Sequence, residues 1–439
     1  MNVNIADYLI VTPRIVPAHT MVQLTLKPRF GFEKLSGAYE VAVVPKYYYF
    51  SNDRTASFDS FTVVAEENCL RFEYHFEEEQ EYTVAARSKE GSGNRRDIMT
   101  AVYALEQDLF SAIPLKGDLH MHTTFSDGIE SPEHRVMTAR KNGFDFMAIT
   151  DHNNFGGSIA ARSFVEKIGL DMIALRGEEI HALNCPSHIL SLGAERSIVS
   201  EVTIPSLELT LRRERIKKRY RDLLPENVEI ESFAAAMDVF DRIREADGMS
   251  VLCHIYWDAI DWTNRRRFGA PQQLADALTQ NLNFDAFELT SGAPKSDLTA
   301  NYLQAAYYHD KLPANFPVIG ITDTHCTLEE SDTIFGKNYT LVFADEKTEN
   351  GVIDAIRRSR SVCVDGVSDN VVLRGSVRLC KYAKFLMNHF YPMHDELLMQ
   401  EGASVERILE LGTVESEDLR RSNSNTRQMM SLYWKGLCI

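Results

Sequence analysis

The sequence lacks the features of secreted, membrane-spanning and cysteine-rich proteins. Only 7 of its 439 residues are cysteines, they are scattered, and no two form a CxxC pair. A disulfide framework and a cysteine zinc site are therefore not indicated, and a reducing cytoplasm is expected. No uninterrupted apolar run approaches the roughly 18–20 residues of a membrane span. The N-terminus has no signal-peptide pattern, although a trimmed signal would leave the same start.

An excess of basic residues is also missing. Lys and Arg number 47 against 63 Asp and Glu, which gives a net charge of −16. This balance argues against general binding to nucleic acid or to an anionic membrane, although a local basic patch can still bind a phosphate. The length of 439 residues suggests two or three domains, and 44% hydrophobic residues exclude a wholly disordered chain.

Residues 1–112 are predicted to form a small antiparallel β-sandwich domain. Short alternating or β-branched segments are separated there by turn residues such as Ser36-Gly37. The predicted strands are Met21–Lys27, Tyr39–Pro45, Phe61–Ala65, Cys69–Phe76 and Tyr82–Ala86. The segment Met99–Leu109 fits either a last strand or a short helix.

Residues 113–365 show a different pattern, in which apolar strands alternate with helical stretches. This alternation predicts a parallel α/β sheet or barrel. The predicted strands are Phe146–Thr150, Met172–Leu175, Ile189–Leu192, Ser250–Cys253, Ala286–Leu289 and Val318–Ile321. Ser131 as N-cap and Pro132 at the first helical position mark the start of a helix. Residues 197–247 are expected to form a helical insertion over one mouth of the barrel, and residues 366–439 a helical C-terminal extension.

A pair of histidines opens the functional region. His120 and His122 are two residues apart, so on a strand their imidazoles point to one face. Asp127 follows in the next loop and can bring a carboxylate to the same place. An HxH pair by itself is a weak indication of a metal site.

Further ligand-type residues stand beside the predicted strands. Four of the next five strands carry His, Asp or Glu within a few residues of their C-terminal end, the edge where α/β barrels assemble active sites. His188 instead begins its strand. The residues concerned are Asp151-His152, Glu178-Glu179, His188, His254 and Asp323-Thr324-His325.

This ordered set of motifs resembles the PHP family, named for polymerase and histidinol phosphatase domains. The resemblance implies a distorted β/α barrel with up to three divalent metals, and it covers neither the β-sandwich nor the C-terminal extension. It is carried by Gly117–Thr123, Ser126–Gly128, Ile149–Asn153, Gly177–Ile180, Ser187–Leu190, Leu252–His254 and Asp323–His325.

The resemblance also implies the ligands and their grouping. The nine ligands are His120, His122, Asp127, His152, Glu179, His188, His254, Asp323 and His325. The implied sets are His120, His122 and Asp323 on one metal, His188 and His254 on the second, and Asp127, His152 and His325 on the third. Glu179, which the Gly-x-Glu pattern selects over Glu178, bridges the first two. Two or three Mn²⁺, Fe²⁺ or Zn²⁺ ions suit such mixed imidazole and carboxylate ligands.

Weaker signals concern phosphate binding and supporting residues. Arg265, Arg266 and Arg267 follow His254 closely enough for one of them to hold a phosphate. The basic segment 211–221 is interpreted either as a solvated helix face or as a phosphate-attracting wall. In the first case Leu211, Ile216, Tyr220 and Leu223 are expected to face inward. Asp151 is a candidate for orienting a ligand. His181 reads as a surface histidine, with proton donation as the alternative.

These observations favour a metal-dependent phosphoric ester hydrolase acting on a small phosphoester. In a di- or trinuclear site of this kind a metal-bound hydroxide attacks phosphorus, and no Ser or Cys nucleophile motif is seen. Three alternatives stay open: amide hydrolysis on the same cluster, an exonuclease on short oligonucleotides, and a binding or scaffold protein that uses the N-terminal β domain. A substrate panel separates the first two from the small-phosphoester hydrolase. The complete ligand set argues against a scaffold protein. The net negative charge argues against an exonuclease, although the basic insertion keeps that alternative open.

Overall fold

The structure of the protein is a computed structural model. It describes residues 9–29, 34–46, 58–89, 98–261, 263, 265–290, 299–327, 334–367, 370–412 and 417–433. The chain divides into two compact units. The first comprises Met1–Ala112, Lys381–His394 and Ser424–Ile439, and the second comprises Ile113–Cys380 and Asp395–Asn423.

The first unit contains two β-sheets that share one hydrophobic cluster. Its elements are β1 (Leu9–Thr12), β2 (Ile15–Pro17), β3 (Thr20–Pro28), β4 (Ala38–Pro45), β5 (Phe61–Val64), β6 (Leu70–Phe76), β7 (Gln80–Ser88), β8 (Ile98–Leu105) and α1 (Gln107–Phe110). The sheet orders are β1-β3-β6 and β2-β8-β7-β4-β5. Leu24 and Phe76 from the first sheet and Val41 and Val84 from the second are buried in the same cluster.

The five predicted strands of this region are confirmed, with small shifts at their ends. The segment Met99–Leu109 contains both predicted alternatives, because a strand ends at Leu105 and a short helix follows. Two strands were missed, because β2 has only three residues and the four residues of β1 do not alternate between apolar and polar types. The expectation of a wholly antiparallel arrangement is wrong, since β2 pairs with β8 in parallel. A sandwich packing of the two sheets stays a prediction.

The second unit is an α/β unit with mixed sheets. Its strands are β9 (Ile113–Asp118), β10 (Phe146–Ala148), β11 (Ile173–Leu175), β12 (Gly177–Ile180), β13 (Ile189–Leu192), β14 (Met249–Leu252), β15 (Ala259–Asp261), β16 (Arg266–Phe268), β17 (Ala286–Thr290), β18 (Val318–Gly320), β19 (Tyr339–Ala344), β20 (Ser361–Asp365) and β21 (Val372–Arg374). Its helices are α2 (Pro132–Lys141), α3 (Gly156–Ile168), α4 (Val199–Thr203), α5 (Leu207–Tyr220), α6 (Ile230–Glu245), α7 (Gln272–Asn281), α8 (Thr299–Lys311) and α9 (Glu349–Arg357). The start of α2 is as predicted, because Ser131 caps it by accepting the N–H of His134 at 3.3 Å.

The strands of this unit form two larger sheets and one two-stranded sheet. The larger sheets have the orders β11-β10-β9-β19-β20-β21 and β12-β13-β14-β17-β18, and β15 pairs with β16. Strands β9, β10 and β11 run parallel, as do β14, β17 and β18. The remaining pairs are antiparallel, so the expectation of a purely parallel sheet is wrong for them. Isolated bridges from His152 to Glu179 and from Met121 to Thr324 join the two larger sheets. A closed, distorted barrel stays a prediction.

The antiparallel direction of β13 matters for the site. The register pairs Ile189, at the start of β13, with Ile180 at the end of β12 and with Leu252 at the end of β14. The N-terminal end of β13 therefore lies at the same edge as the C-terminal ends of its neighbours. This is why His188 stands before its strand while the other ligand-type residues stand after or at the ends of theirs.

The predicted helical insertion at 197–247 consists of α4, α5 and α6. Helix α6 is largely apolar on its buried side, and Phe233, Phe240 and Ile243 pack into the core cluster that also contains Ile189 and Leu252. This part of the segment therefore belongs to the hydrophobic core beside β13 and β14. Placement of the segment over a barrel mouth stays a prediction.

The C-terminal region 366–439 begins with β21 and continues with helices. They are α10 (Val377–His389), α11 (Tyr391–Leu411) and α12 (Glu417–Tyr433), and they divide between the two units. The predicted separation into three domains stays a prediction. None of the helices in the described part of the chain is both long enough and apolar enough to span a membrane.

A buried ion pair joins α11 to α2 within the second unit. Arg140 Nε donates to Glu401 Oε2 at 2.8 Å, and both side chains are almost completely excluded from solvent. On the same helix, Glu406 pairs with Lys141 at the surface, with an oxygen–nitrogen distance of 2.6 Å. Removing one partner of a buried pair leaves an uncompensated charge, whereas a surface pair contributes little.

We predict that Glu401→Ala lowers the free energy of unfolding by about 3–5 kcal/mol. The matched variant Glu406→Ala should lower it by about 1 kcal/mol or less. Urea unfolding of the full chain, followed by circular dichroism, measures both. Equal effects of the two variants would show that α11 is not an integral part of the second unit.

Candidate metal centre

One buried carboxylate lies at the centre of the ligand-type residues. Glu179 stands in β12 and is fully buried. Its Oε1 lies 2.8 Å from His188 Nδ1 and 3.0 Å from His254 Nε2. Its Oε2 lies 2.9 Å from His152 Nδ1 and 3.3 Å from His120 Nε2. The two oxygens therefore face two different sets of imidazoles, as a bridging ligand does.

The neighbouring Glu178 points elsewhere, because successive residues of a strand face opposite sides. Its Oε2 accepts the hydroxyl of Ser197 at 2.7 Å and its Oε1 accepts the N–H of Ile198 at 3.1 Å. This geometry supports the choice of Glu179 over Glu178.

The structure brings all nine predicted ligands together. Within the described residues, the donor atoms of several groups lie within 4.8 Å of one another. Three of these groups consist of predicted ligands alone: His120, His122, Glu179 and Asp323; Glu179, His188 and His254; and His122, Asp127, His152 and His325. These groups match the three implied sets, with Glu179 shared by the first two and His122 shared by the first and third.

The paired histidines lie just beyond a strand. β9 ends at Asp118, and the bridge from Met121 to Thr324 keeps the following residues extended. His120 and His122 are completely buried and face the same carboxylate, since Asp323 Oδ1 lies 3.2 Å and 2.9 Å from their Nε2 atoms. The prediction that both imidazoles share one cavity is correct, although the residues lie after the strand.

The third group is more open to solvent. Asp127 is 57% exposed, with Oδ1 3.4 Å from His325 Nε2 and Oδ2 3.4 Å from His152 Nε2. His325 Nδ1 lies 2.9 Å from the backbone carbonyl of Asp323. Donation of the Nδ1 proton to this carbonyl leaves the Nε2 lone pair directed at the group. Solvent therefore reaches the cluster from the side of Asp127 and His325.

Several donor atoms of the cluster are buried without a hydrogen-bond partner in the described structure. They are His120 Nε2, His152 Nδ1, Glu179 Oε2, His181 Nε2 and His188 Nδ1. The ring nitrogens approach Glu179 closely, yet without the alignment of a hydrogen bond. Unpartnered buried polar atoms are costly. Imidazole nitrogens and carboxylate oxygens that converge without pairing fit divalent metal ions.

Burial and charge act in opposite directions on these groups. Burial alone would lower the pKa of His152, but the carboxylates of Asp127 and Glu179 outweigh it and raise the pKa to about 10. For His188 burial dominates and lowers the pKa to about 4. Burial would raise the pKa of Glu179, but the neighbouring His188 and His120 hold it well below its usual range.

Two further carboxylates hold the loops that carry the ligands. Asp151 accepts the N–H and hydroxyl of Thr123, both at 2.7 Å, and the hydroxyl of Ser126 at 2.7 Å. Asp118 accepts the N–H of His120 at 3.1 Å and the hydroxyl of Thr322 at 2.5 Å. Asp151 therefore supports the ligand loop through its neighbours, and orientation of a ligand by Asp151 stays a prediction.

Sequence reasoning missed the position of His181. Its ring stacks on that of His188 with 3.6 Å between centroids, and its Nε2 lies 3.7 Å from Glu179 Oε1. Asn153 holds its backbone by accepting the His181 N–H at 2.8 Å. The signal was present, because His181 stands two residues after Glu179 and so faces the same side. Glu288, which lies in β17 outside every motif, also reaches the cluster with Oε2 3.1 Å from His120 Nδ1.

A phosphate-binding role of the basic candidates stays a prediction. Arg265 is exposed, and the side chains of Arg266 and Arg267 lie outside the described residues. In α5, Arg212 Nε donates to Asp238 at 2.7 Å, and the buried Arg213 donates to the carbonyl of Leu183 at 2.6 Å.

Two leucines, one in the basic segment and one just after it, do not face inward. Leu211 and Leu223, expected on the inner face, are 47% and 72% exposed. Ile216 and Tyr220 do pack against the core cluster, as expected. Helix α5 therefore contacts the core with one side, and Leu211 lies on the side that faces solvent. The exposed cations of the basic segment 211–221 are Arg215, Lys218, Arg219 and Arg221.

Comparison with known proteins supports the resemblance seen in the sequence. Residues 118–216 match the family model of the PHP domain. The matched segment contains six of the nine ligand positions, and the other three are His254, Asp323 and His325. The resemblance to the PHP family is thereby confirmed for residues 118–216, and the second unit has a PHP-like α/β fold with mixed sheets.

Individual relatives match short segments. A phosphoribosyl 1,2-cyclic phosphate 1,2-diphosphodiesterase of Eggerthella lenta is 35% identical over 82 residues, which are 18% of this chain and 30% of that protein. A 5′-3′ exoribonuclease of Salmonella typhimurium is 38% identical over 80 residues, 18% of this chain and 27% of that protein. The chain therefore spans less than a third of the length of these relatives. A solved two-domain protein of Bacteroides vulgatus, described as containing a predicted PHP-like metal-dependent phosphoesterase, is 19% identical, with a TM-score of 0.41 over 62% of this chain and 70% of that chain.

We predict that metal loading of the metal-free protein at pH 7 releases protons. The pKa of His152 is raised to about 10, so this residue is protonated at pH 7 and has to lose its proton to bind a metal. Calorimetric titration with Mn²⁺ in two buffers of different ionisation enthalpy measures the release.

His152→Ala should release fewer protons than the wild type, while His75→Ala, an exposed histidine of β6, should match the wild type. Apparent metal affinity should rise with pH between about 7 and 10, because the competing proton leaves His152 over that range. A binding heat that is independent of the buffer would contradict this prediction.

Proposed function

We propose that this chain, which carries a PHP domain at residues 118–216, is a metal-dependent phosphoric ester hydrolase that acts on a small phosphoester. The observation that carries the proposal is the convergence of nine ligand-type side chains, with Glu179 at their centre, at one edge of two sheets. A scaffold protein gains nothing from burying so many unpaired polar atoms at one point, because each of them costs free energy.

The ligand sets fit two or three divalent ions. The proposed holders are His120, His122 and Asp323 for one ion, His188 and His254 for another, Asp127, His152 and His325 for a third, and Glu179 as the bridge between the first two. Mn²⁺, Fe²⁺ and Zn²⁺ all accept imidazole and carboxylate ligands. Bound ions of this kind supply Lewis-acid activation of water and neutralise charge on a phosphate.

The proposed roles of the residues in the site differ with their exposure to solvent. His120, His122 and Glu179 are fully buried and keep solvent away from the inner ligands. Asp127 and His325 form the open side, where a substrate reaches the cluster. No separate protein nucleophile is proposed. Burial and the nearby carboxylates raise the pKa of the Cys253 thiol well above its usual value, so it stays protonated.

A small substrate fits the charge of the molecule. The net charge of −16 repels a long polyanion, and several cations of α5 are already paired with carboxylates. The names of the relatives, a phosphodiesterase and exoribonucleases, support phosphoester chemistry. A cytoplasmic location is part of the proposal and rests on the few, scattered cysteines of the sequence.

We predict that chelation abolishes phosphoesterase activity and that Mn²⁺, Fe²⁺ or Zn²⁺ restores it. His122→Ala should lower kcat/KM by more than about 100-fold, beyond the 10–100-fold typical of residues that only support a ligand. The control His309→Ala removes an exposed histidine of α8 and should leave kcat/KM unchanged.

The substrate panel contains nitrophenyl phosphates, mononucleotides, short oligonucleotides and amide substrates. The proposal expects turnover of the small phosphoesters. Turnover of amides alone would favour the alternative hydrolase on the same cluster. Undiminished phosphoester turnover after complete metal removal would contradict metal dependence.

A second candidate is an exonuclease on short oligonucleotides. It is favoured by the exposed cations of α5 and by the exoribonucleases among the relatives. Arg212 and Arg213 are unsuitable for testing it, because their substitution breaks ion pairs and buried hydrogen bonds. Arg215 and Arg219 are exposed, and within the described part of the chain neither forms an ion pair or a buried hydrogen bond.

We predict that Arg215→Glu with Arg219→Glu leaves turnover of small phosphoesters unchanged. Loss of oligonucleotide cleavage in this variant, with a salt slope reduced by about one per lost phosphate contact, would favour the exonuclease.

For a small substrate, Arg265→Ala or a change at Arg266 or Arg267 should mainly raise KM, because such an arginine binds ground state and transition state alike. Steady-state kinetics on both substrate classes measures these effects.

A further inference from the structure

Glu288 is a buried carboxylate that contacts two of the proposed ligands. It lies in β17, and its side chain is completely buried. Its Oε2 lies 3.1 Å from His120 Nδ1, and its Oε1 accepts the backbone N–H of His254 at 2.9 Å. Both oxygens therefore face nitrogen atoms of residues that belong to different ligand sets.

The contact with His120 selects one form of its ring. The other ring nitrogen, Nε2, lies 3.2 Å from Asp323 Oδ1 and 3.3 Å from Glu179 Oε2. When Nδ1 carries a proton and donates it to Glu288, Nε2 keeps a lone pair that points into the cluster. A carboxylate behind a ligating histidine fixes the tautomer and the ring orientation in this way.

The contact with His254 acts on the backbone. His254 has a φ of 23°, a conformation that is unfavourable for a residue with a side chain. The hydrogen bond from its N–H to Glu288 stabilises this turn at the end of β14. The turn brings His254 Nε2 to 3.0 Å from Glu179 Oε1.

Glu288 is itself held firmly. β17 lies between β14 and β18 in the sheet, and its register with β18 shifts between Glu288 and Thr290. The buried Gln304 of α8 donates to the backbone carbonyl of Glu288 at 2.8 Å. Such irregularities redirect side chains beside functional sites.

We propose that Glu288 is a positioning residue that orients ligands of two different metal ions, His120 through its tautomer and His254 through its backbone. This inference rests on the proposed metal centre. Glu288 belongs to none of the candidate ligand groups among the described residues, so its proposed effect passes through the two histidines.

The test is Glu288→Gln, which keeps the shape of the side chain. A carboxamide has one oxygen acceptor, so it cannot accept from both His120 and His254. The matched control is Glu178→Gln, which neutralises another fully buried carboxylate. Glu178 accepts from Ser197 and Ile198 and contacts no histidine in the described structure. The control therefore measures the general effect of losing a buried charge near Glu179.

Metal binding is the readout, by elemental analysis and by titration with Co²⁺ followed by its visible absorption. Glu288→Gln should weaken the binding of at least one ion by about 10–100-fold, while Glu178→Gln binds like the wild type. Wild-type affinity and stoichiometry in Glu288→Gln would overturn the inference. Failure of the wild type to bind metal at all would instead overturn the proposed metal centre.

A measurement on the wild type covers the case in which Glu288→Gln does not fold. Long-range ¹H–¹⁵N spectra of the histidine rings of the zinc-loaded protein report which nitrogen of His120 carries the proton, with the signal identified by its loss in His120→Gln. Protonation at Nδ1 supports the inference. Protonation at Nε2, with Nδ1 free, would overturn it.

Discussion

The site depends on one physical requirement, which is that the charge of the buried Glu179 has to be balanced where water does not reach. An isolated carboxylate in such a place would become neutral, since burial disfavours its charged form. Here imidazoles from four separate segments surround both of its oxygens, and the pKa stays well below its usual range. The ends of several strands therefore have to meet at one point, and the mixed topology of the sheets serves this need.

The reversed direction of β13 shows how topology meets that requirement. In a purely parallel sheet the residue before a strand lies at the edge opposite to the residues that follow the strands. His188 would then be a strand length away from Glu179. Because β13 runs antiparallel to β12 and β14, its first residues lie beside the last residues of both neighbours. The order of ligands along the chain is thus compatible with a single site only when this strand is reversed.

The sequence allowed prediction of the nine ligand-type residues and of the strands that carry most of them. His120 and His122 stand in a short motif whose spacing directs both imidazoles to one face. Glu288 could not be found in this way, because it is a single acidic residue in an apolar strand, 168 residues from the histidine that it contacts. His181 was expected at the surface although it stands two residues after Glu179, and this alternation places its ring beside the cluster.

For the fold, the positions of most strands could be predicted, but their directions could not. In the first unit the strands β3 to β7 were identified, whereas β2 has only three residues and the four residues of β1 do not alternate between apolar and polar types. The parallel or antiparallel direction of a strand is not recorded in its own residues. It depends on which partners cover it, so the direction of β13 and β19 became visible only in the structure. The partners of Arg212 in α5 likewise come from α6, 26 and 33 residues away.

The charges at the site also set a condition on substrate binding. Once the histidines have given up protons to act as ligands, the carboxylates of Asp127, Glu179 and Asp323 leave this edge negative, on a chain whose net charge is already −16. A phosphate ester is an anion, and at a few ångströms its repulsion by each carboxylate amounts to about 1 kcal/mol in water and more where water is excluded. The attraction for substrate therefore has to come from bound cations and from any nearby arginine. Under the proposed function, bound cations would supply most of the attraction for a phosphate, so metal loading is expected to govern substrate affinity as well as turnover.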